Sequence, residues 1–256
     1  MVKDRTVQVY DRQFKQYSRN AIHPRISELL DELPKGSLLD FPAGSGALSY
    51  RLHKEGFDVT ACDICPDAFE PDEIDVVPGD LRRKFPFDDD RFDFATFVEG
   101  PEHAENPFFA IREFARILKP GGRLVISIPN YTNLEKRLQF LLYGSGEKAV
   151  PYERVKDWPV GELALLHLTP ITYTQLRCFM EYSGFQIERV AKDATKRKQQ
   201  LLKPLALLIQ MFSKLLGRKG QEKYWLQEAN SNEILMGGNT LIIIARLRHE
   251  AVKLAA

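Results

Sequence analysis

The sequence predicts an α/β fold, a mostly parallel sheet with helices on both faces. Three observations carry that expectation. Apolar runs alternate with amphipathic segments along most of the chain, the pattern of strands joined by crossover helices. From Ser37 to Asp63 an apolar run ends in an acid, a loop with Gly44 and Gly46 follows, and an amphipathic segment leads to a second apolar run that again ends in an acid. Late in the chain, NTLIIIARLR is a long β-branched run suited to a strand.

In order, strands are expected near residues 37–41, 57–63, 74–78, 92–98, 122–129, 185–191 and 239–247. Helices are expected near 20–33, 44–55, 106–118, 132–143 and 172–183. The last has the clearest punctuation: Thr172 and Gln175 form a capping box, and Gly184 supplies a stop. At 256 residues, one domain over 1–256 is the simplest organisation. Two regions exceed the minimal fold. Residues 144–171 are broken up by Pro and Gly and lie where they are expected to cover substrate. Residues 192–232 separate the last two strands and are expected to form a helical insertion.

Composition narrows the function classes. The net charge of +1, with both signs interspersed, makes a nucleic-acid partner unlike this chain, since that role needs a basic excess. Three cysteines without disulfide-framework spacing suit a reducing, cytoplasmic setting. Cys62 and Cys65 form a C-x-x-C, but Cys62 falls within a strand buried on both faces and reads as a small core residue. The opening MVKDRTVQVYDRQFKQ is polar, so no signal peptide is expected. No apolar run reaches the roughly 18 residues of a membrane span.

The glycine loop points to a nucleotide-like ligand. Glycines admit close backbone approach, and the helix behind them turns its positive end toward the loop. Asp63 is placed to accept hydrogen bonds from both hydroxyls of a ribose. A dinucleotide fingerprint needs G-x-G-x-x-G, and the chain offers Pro42, Gly44 and Ala47 instead. Asp40 would repel a pyrophosphate but suits a ligand with a cationic amino-acid end. With these residues the chain resembles the class I S-adenosylmethionine-dependent methyltransferases, whose loop reads acid-x-G-x-G-x-G; Pro42 stands at the first glycine. VVPGDLRRKFPF, FDFATFVEGPEH and NPFFAIREFARILKPGGRLVISIPN follow in that family's order. The resemblance implies a Rossmann-like seven-stranded sheet whose last strand is antiparallel, with S-adenosyl-L-methionine as cofactor. It places Asp40, Ala43 and Gly44, with Gly46 in the same loop, along the methionine moiety, Asp63 at the ribose, and Asp80 with Leu81 beside the adenine.

Glu99, Glu102 and His103 form E-x-x-E-H where the fourth strand meets its loop, and His167 lies before the helix at 172–183. Two carboxylates and two imidazoles can build a mixed-ligand divalent site with open positions for substrate oxygens. The motif resembles that of the small-RNA 2′-O-methyltransferases and the ubiquinone-biosynthesis O-methyltransferases. Three readings stay open: a divalent metal ion on Glu99, Glu102, His103 and His167; His103 as an unaided general base with Glu99 touching the cofactor; or a structural role for His103. His23, His53 and His249 read as ordinary surface residues. The expected reaction is O-methylation of a small-molecule or lipid-linked acceptor, a sugar or phenol hydroxyl. The alternatives are an inactive cofactor-binding scaffold and an NAD-dependent oxidoreductase, the latter opposed by Asp40 and the missing third glycine.

In the insertion, Leu201, Leu205, Leu208, Phe212 and Leu215 recur at helical spacing, and Leu202, Ile209 and Leu216 widen the stripe. Lys203, Gln210 and Lys214 mark the opposite face, and Lys196, Arg197, Lys198, Arg218 and Lys219 flank the ends. A broad apolar face with basic flanks suits a helix in a membrane interface, so residues 199–218 are expected to touch the inner membrane face peripherally. The protein's own core and a homodimer are the competing coverings.

Overall fold

The computed structural model describes residues 5–16, 18–146, 150–158, 167 and 169–248. His249 and parts of the expected substrate-covering segment, residues 147–149, 159–166 and 168, lie outside the described residues.

All seven expected strands form and join one sheet. They are β3 (Ser37–Asp40), β4 (Asp58–Asp63), β5 (Val76–Pro78), β6 (Phe92–Phe97), β7 (Leu118–Pro129), β8 (Phe185–Lys192) and β9 (Thr240–Leu247), in the order β5-β4-β3-β6-β7-β9-β8. The pairs from β5 to β7 are parallel, and β9 inserts antiparallel between β7 and β8. Strand period and burial explain the apolar runs. In β9, Leu241, Ile243 and Ala245 face one core while Ile242 and Ile244 face the other. Buried on both sides, the strand needs apolar residues at successive positions.

The first core lies under α3 (Pro107–Ile117) and α6 (Tyr173–Tyr182), the second under α1 (Ile22–Asp31) and α2 (Ala47–Lys54). Four phenylalanines close the first core beneath the strand ends: Phe41 meets Phe85 at 4.9 Å, Phe85 meets Phe114 at 5.0 Å, and Phe97 meets Phe114 at 5.0 Å between ring centroids. Phe41 and Phe97 immediately follow or end β3 and β6, so this cluster fixes where their loops leave the sheet. α4 (Leu134–Tyr143) follows β7, and a single turn, α5 (Tyr152–Val155), precedes α6. The insertion folds as a 3₁₀ turn over Arg197–Leu202, α7 (Lys203–Leu215), α8 (Arg218–Lys223), α9 (Leu226–Ala229) and α10 (Asn232–Leu235).

Two features depart from expectation. A hairpin of β1 (Arg5–Val9) and β2 (Arg12–Gln16) precedes α1 and packs Val9 and Phe14 on Ala47 and Tyr50 of α2. Its alternation is short and interrupted by charge, so it read only as a polar N-terminus. His23 is buried, not on a surface, because α2 and the turn at Ser18 cover its side of α1. Ser18 Oγ lies 2.9 Å from His23 Nε2, and burial drives the imidazole pKa down to about 3.

The capping box forms as expected, with the Thr172 side chain on the Gln175 amide and the Gln175 side chain on the Thr172 amide. Thr172→Ala should therefore destabilise the protein by about 1 kcal/mol in urea denaturation. An unchanged midpoint would mean that the start of α6 contributes nothing to the cooperative fold.

Candidate active site

Strands β3 to β7 run parallel, so their outgoing loops gather on one edge of the sheet. The predicted residues sit on these loops, apart from His167, which precedes α6. The Ala43 amide donates to the Cys62 carbonyl at 3.0 Å. The Gly44 amide donates to Asp63 Oδ2 at 2.8 Å, and the Cys65 amide to Asp63 Oδ1 at 2.9 Å. One carboxylate thus ties the first loop to the second, and each oxygen retains a lone pair for a ligand hydroxyl. Gly46 starts α2 at φ 88°, where a Cβ would lie 2.6 Å from Pro71 and 2.7 Å from Phe69. Backbone conformation and available space both demand glycine there.

Asp40 is enclosed, at 1% exposure. Ser49 of α2 and Thr96 of β6 each donate a hydroxyl to it at 2.6 Å. Burial raises its pKa to about 6 despite those donors, and the nearby Asp63 adds to the rise. Asp80 sits on the loop after β5, half-buried, with its carboxylate held by the Arg82 guanidinium and amide at 2.9 Å. The Arg82 hydrogen bond lowers its pKa. Leu81 packs against the first core. Cys62 is buried and its thiol is pushed up to about 12, which fits its core role.

Three of the four proposed ligands converge. One donor atom from each of Glu102, His103 and His167 lies within 4.8 Å of the others. The two rings stand nearly perpendicular with centroids 5.0 Å apart. Thr169 builds this contact: its amide donates to the Glu102 carbonyl at 3.1 Å and its hydroxyl to the Ala104 carbonyl at 2.9 Å. Glu99 is the exception and stands apart from the cluster. At φ 50° it turns toward Ser127, whose hydroxyl accepts from the Glu99 amide at 2.9 Å. Loss of water raises its pKa to about 7, against the pull of Arg19.

Glu102 is 1% exposed and neither carboxylate oxygen has a hydrogen-bond partner among the described residues. Burial, and next the charge of Glu99, push its pKa well above the ordinary range. A carboxyl so placed is either protonated or compensated by a cation. Gly100 permits the site: a Cβ there would lie 2.4 Å from Phe97 and 3.0 Å from Pro42, so this loop packs directly on the glycine loop. Tyr131, after β7, was missed by sequence reasoning; its hydroxyl lies 3.0 Å from His167 Nδ1. Its only sequence signal is its place just past a strand end.

Comparison with known proteins agrees with this architecture. The methyltransferase domain family matches residues 12–190, well over half the chain. A demethylmenaquinone methyltransferase of Beutenbergia cavernae is 31% identical over 55% of this chain and 67% of its own length. One of Paenarthrobacter aurescens is 37% identical over 38% of this chain and 42% of its own, so that match spans under half of the relative. The structure of a SAM-dependent methyltransferase from Archaeoglobus fulgidus superposes with a TM-score of 0.54 at 19% identity, covering 90% of this chain and 94% of that one. At that identity the likeness is one of fold.

The raised pKa of Asp40 fixes a sign. The folded state holds this proton more tightly than the unfolded chain, so the stabilisation is full below the ordinary value of 3.8 and is lost as the pH rises through about 6. The difference is roughly 3 kcal/mol. Asp40→Asn should remove that part of the decline in urea-denaturation stability between about pH 4 and about pH 7. Parallel pH profiles for wild type and variant would contradict the assignment.

Proposed function

The chain belongs to the methyltransferase-domain family, and we propose that it transfers the methyl group of S-adenosylmethionine to a phenolic or related hydroxyl-bearing acceptor, small or lipid-linked. The observation carrying this is a juxtaposition: Asp63 grips the glycine loop on the same sheet edge where Glu102, His103 and His167 converge. In this reading Asp63 receives the ribose hydroxyls and Asp80 with Leu81 flanks the adenine. Asp40, Ala43, Gly44 and Gly46 shape the end that takes the methionine moiety. The ammonium and sulfonium favour an ionised Asp40, so binding draws off its proton.

Methyl transfer is an in-line displacement at an activated carbon, and the nucleophile comes from the acceptor. The protein's task is to align the two partners and exclude water. His103, half-buried at the cluster, takes the acceptor's hydroxyl proton as the oxygen attacks. Tyr131 orients His167. Glu99, outside the cluster, faces the cofactor. The cluster also fits a divalent cation: the carboxylate of Glu102 has no hydrogen-bond partner among the described residues, and one oxygen with two imidazoles is a mixed donor set. Such an ion would lower the hydroxyl's pKa. The names of the relatives favour a quinol-type acceptor. They also support a second reading, methylation of a ring carbon after loss of the same phenolic proton.

Calorimetry with S-adenosylmethionine, S-adenosylhomocysteine and NAD tests the cofactor. Affinity for the sulfur ligands should rise with pH through about 6, and Asp63→Ala should cost on the order of 1–3 kcal/mol. Binding of NAD alone would sink the proposal. Tight sulfur-ligand binding without turnover of any quinol, phenol or sugar acceptor would favour a scaffold.

Melting with and without Mn²⁺ tests the cation. The ion should raise Tm in wild type and leave Glu102→Gln and His167→Ala unmoved. Turnover that survives chelation, with no metal-dependent shift, leaves His103 as an unaided base. Near-full activity of His103→Ala would defeat both versions.

A further inference from the structure

Two helices present apolar side chains to solvent on adjoining surfaces. α4 ends in Phe140, Leu141, Leu142 and Tyr143, exposed by 62%, 78%, 71% and 78%. α7 and the turn before it expose Leu201, Leu208, Phe212 and Leu215 by 84%, 58%, 63% and 76%. Between them runs an open groove of about 610 Å³, lined by Leu138, Leu142 and Tyr143 of α4 and by Leu202. The fold does not need this face. α7 spends its other side on the protein, burying Ala206 and packing Leu202 and Ile209 with Leu134, Leu235 and Met236. Lys203 and Lys214 lie on the exposed side with Leu207 and Met211, while Gln210 bonds inward to the Asn230 carbonyl. That reverses the expected assignment of the two lysines to an opposite face.

Charge identifies what covers the face. From Ala194 to Gln221 there is no Asp or Glu and there are seven Lys or Arg, in a chain whose total is only +1. Lys196 pairs with Glu135 and Arg218 with Glu222, while Arg197, Lys198, Lys203, Lys214 and Lys219 form no ion pair among the described residues. A two-fold dimer would set this patch against itself and oppose like charges. A surface both apolar and anionic complements it.

We propose that α4 and α7 form a membrane-docking face that lies in the interface of a bilayer containing anionic lipid. At 13 residues α7 is about 20 Å long, short of the ~30 Å hydrocarbon core. No helix among the described residues is long and apolar enough to cross a membrane, so the face lies on the bilayer rather than spanning it. α4 begins just after Tyr131, the residue bonded to His167, and carries the exposed apolar residues at its far end, so one helix links the cluster to the docking face. An acceptor with an apolar tail would reach the cluster from the membrane plane.

Flotation of the full chain with phosphatidylcholine vesicles, with and without phosphatidylglycerol, tests this without turnover, so its failure leaves the methyltransferase proposal standing. Wild type should float with the anionic vesicles and release at high salt. Leu208→Glu with Phe212→Glu should abolish flotation while circular dichroism and the melting temperature hold. If that pair unfolds, Lys203→Gln, Lys214→Gln and Lys219→Gln together should weaken binding by roughly tenfold or more. Absence of wild-type flotation overturns the proposal. So does binding indifferent to lipid charge, or a dimer, seen by sedimentation, that the glutamate pair dissociates.

Discussion

The carboxylate of Asp40 sits at the end of the central strand with almost no access to water, held by a hydroxyl from α2 and another from β6. Three elements meet at that group: the strand it ends, the helix that starts after the glycine loop, and the strand that leads to Glu99 and Glu102. The two hydroxyl bonds tie the end of β3 to α2 and to β6, and the phenylalanine cluster packs beneath these strand ends. Their cost is desolvation, visible as the pKa near 6. A carboxylate this poorly solvated is repaid by positive charge nearby. The glycine loop that Asp40 shapes thus lies over a carboxylate that a positive charge brought close would stabilise.

Much of this was legible in the sequence because the signals were local. Two-sided burial writes itself as continuous apolar runs, so the seven strands of the sheet could be placed within a few residues. The Thr172–Gln175 box and Gly184 bounded α6 by hydrogen-bond chemistry that needs only a few neighbouring residues. The glycine loop was legible for the same reason: positive φ at Gly44 and Gly46 leaves few other residues possible. The antiparallel position of β9 came from family resemblance, since nothing in NTLIIIARLR states its direction.

What was not legible depended on distant partners. His23 looks like a surface helix residue until α2 is laid across it. The E-x-x-E-H spacing suggested that both carboxylates act together, but Glu99 adopts φ 50° and turns to Ser127 on the next strand. Tyr131 entered the site only through its contact with His167; His167 was itself legible as a candidate, but the two hydrogen bonds of Thr169 that tie its neighbourhood to the loop of Glu102 were not. In the insertion, periodicity found the helix but not which side faced the protein. Ala206 and Ser213, two small residues among the large apolar side chains of that helix, proved to be its buried stripe, because small residues allow close approach to Leu134 and Asn230.

The charge distribution joins the two ends of the argument. The total of +1 conceals a division: removing the seven positive charges between Ala194 and Gln221 leaves −6 on the rest of the chain. Such a molecule is polarised, and near an anionic surface it turns the insertion toward that surface and the remainder away. The acids on the site edge would oppose this if they were fully charged. Asp40 near pKa 6, Glu99 near 7 and Glu102, raised well above the ordinary carboxylate range, are the groups that burial makes easiest to neutralise, and Asp80 is already matched by Arg82. Burial of those carboxyls therefore quiets the negative field of the site edge, and a docking face on the insertion would meet less opposition from it.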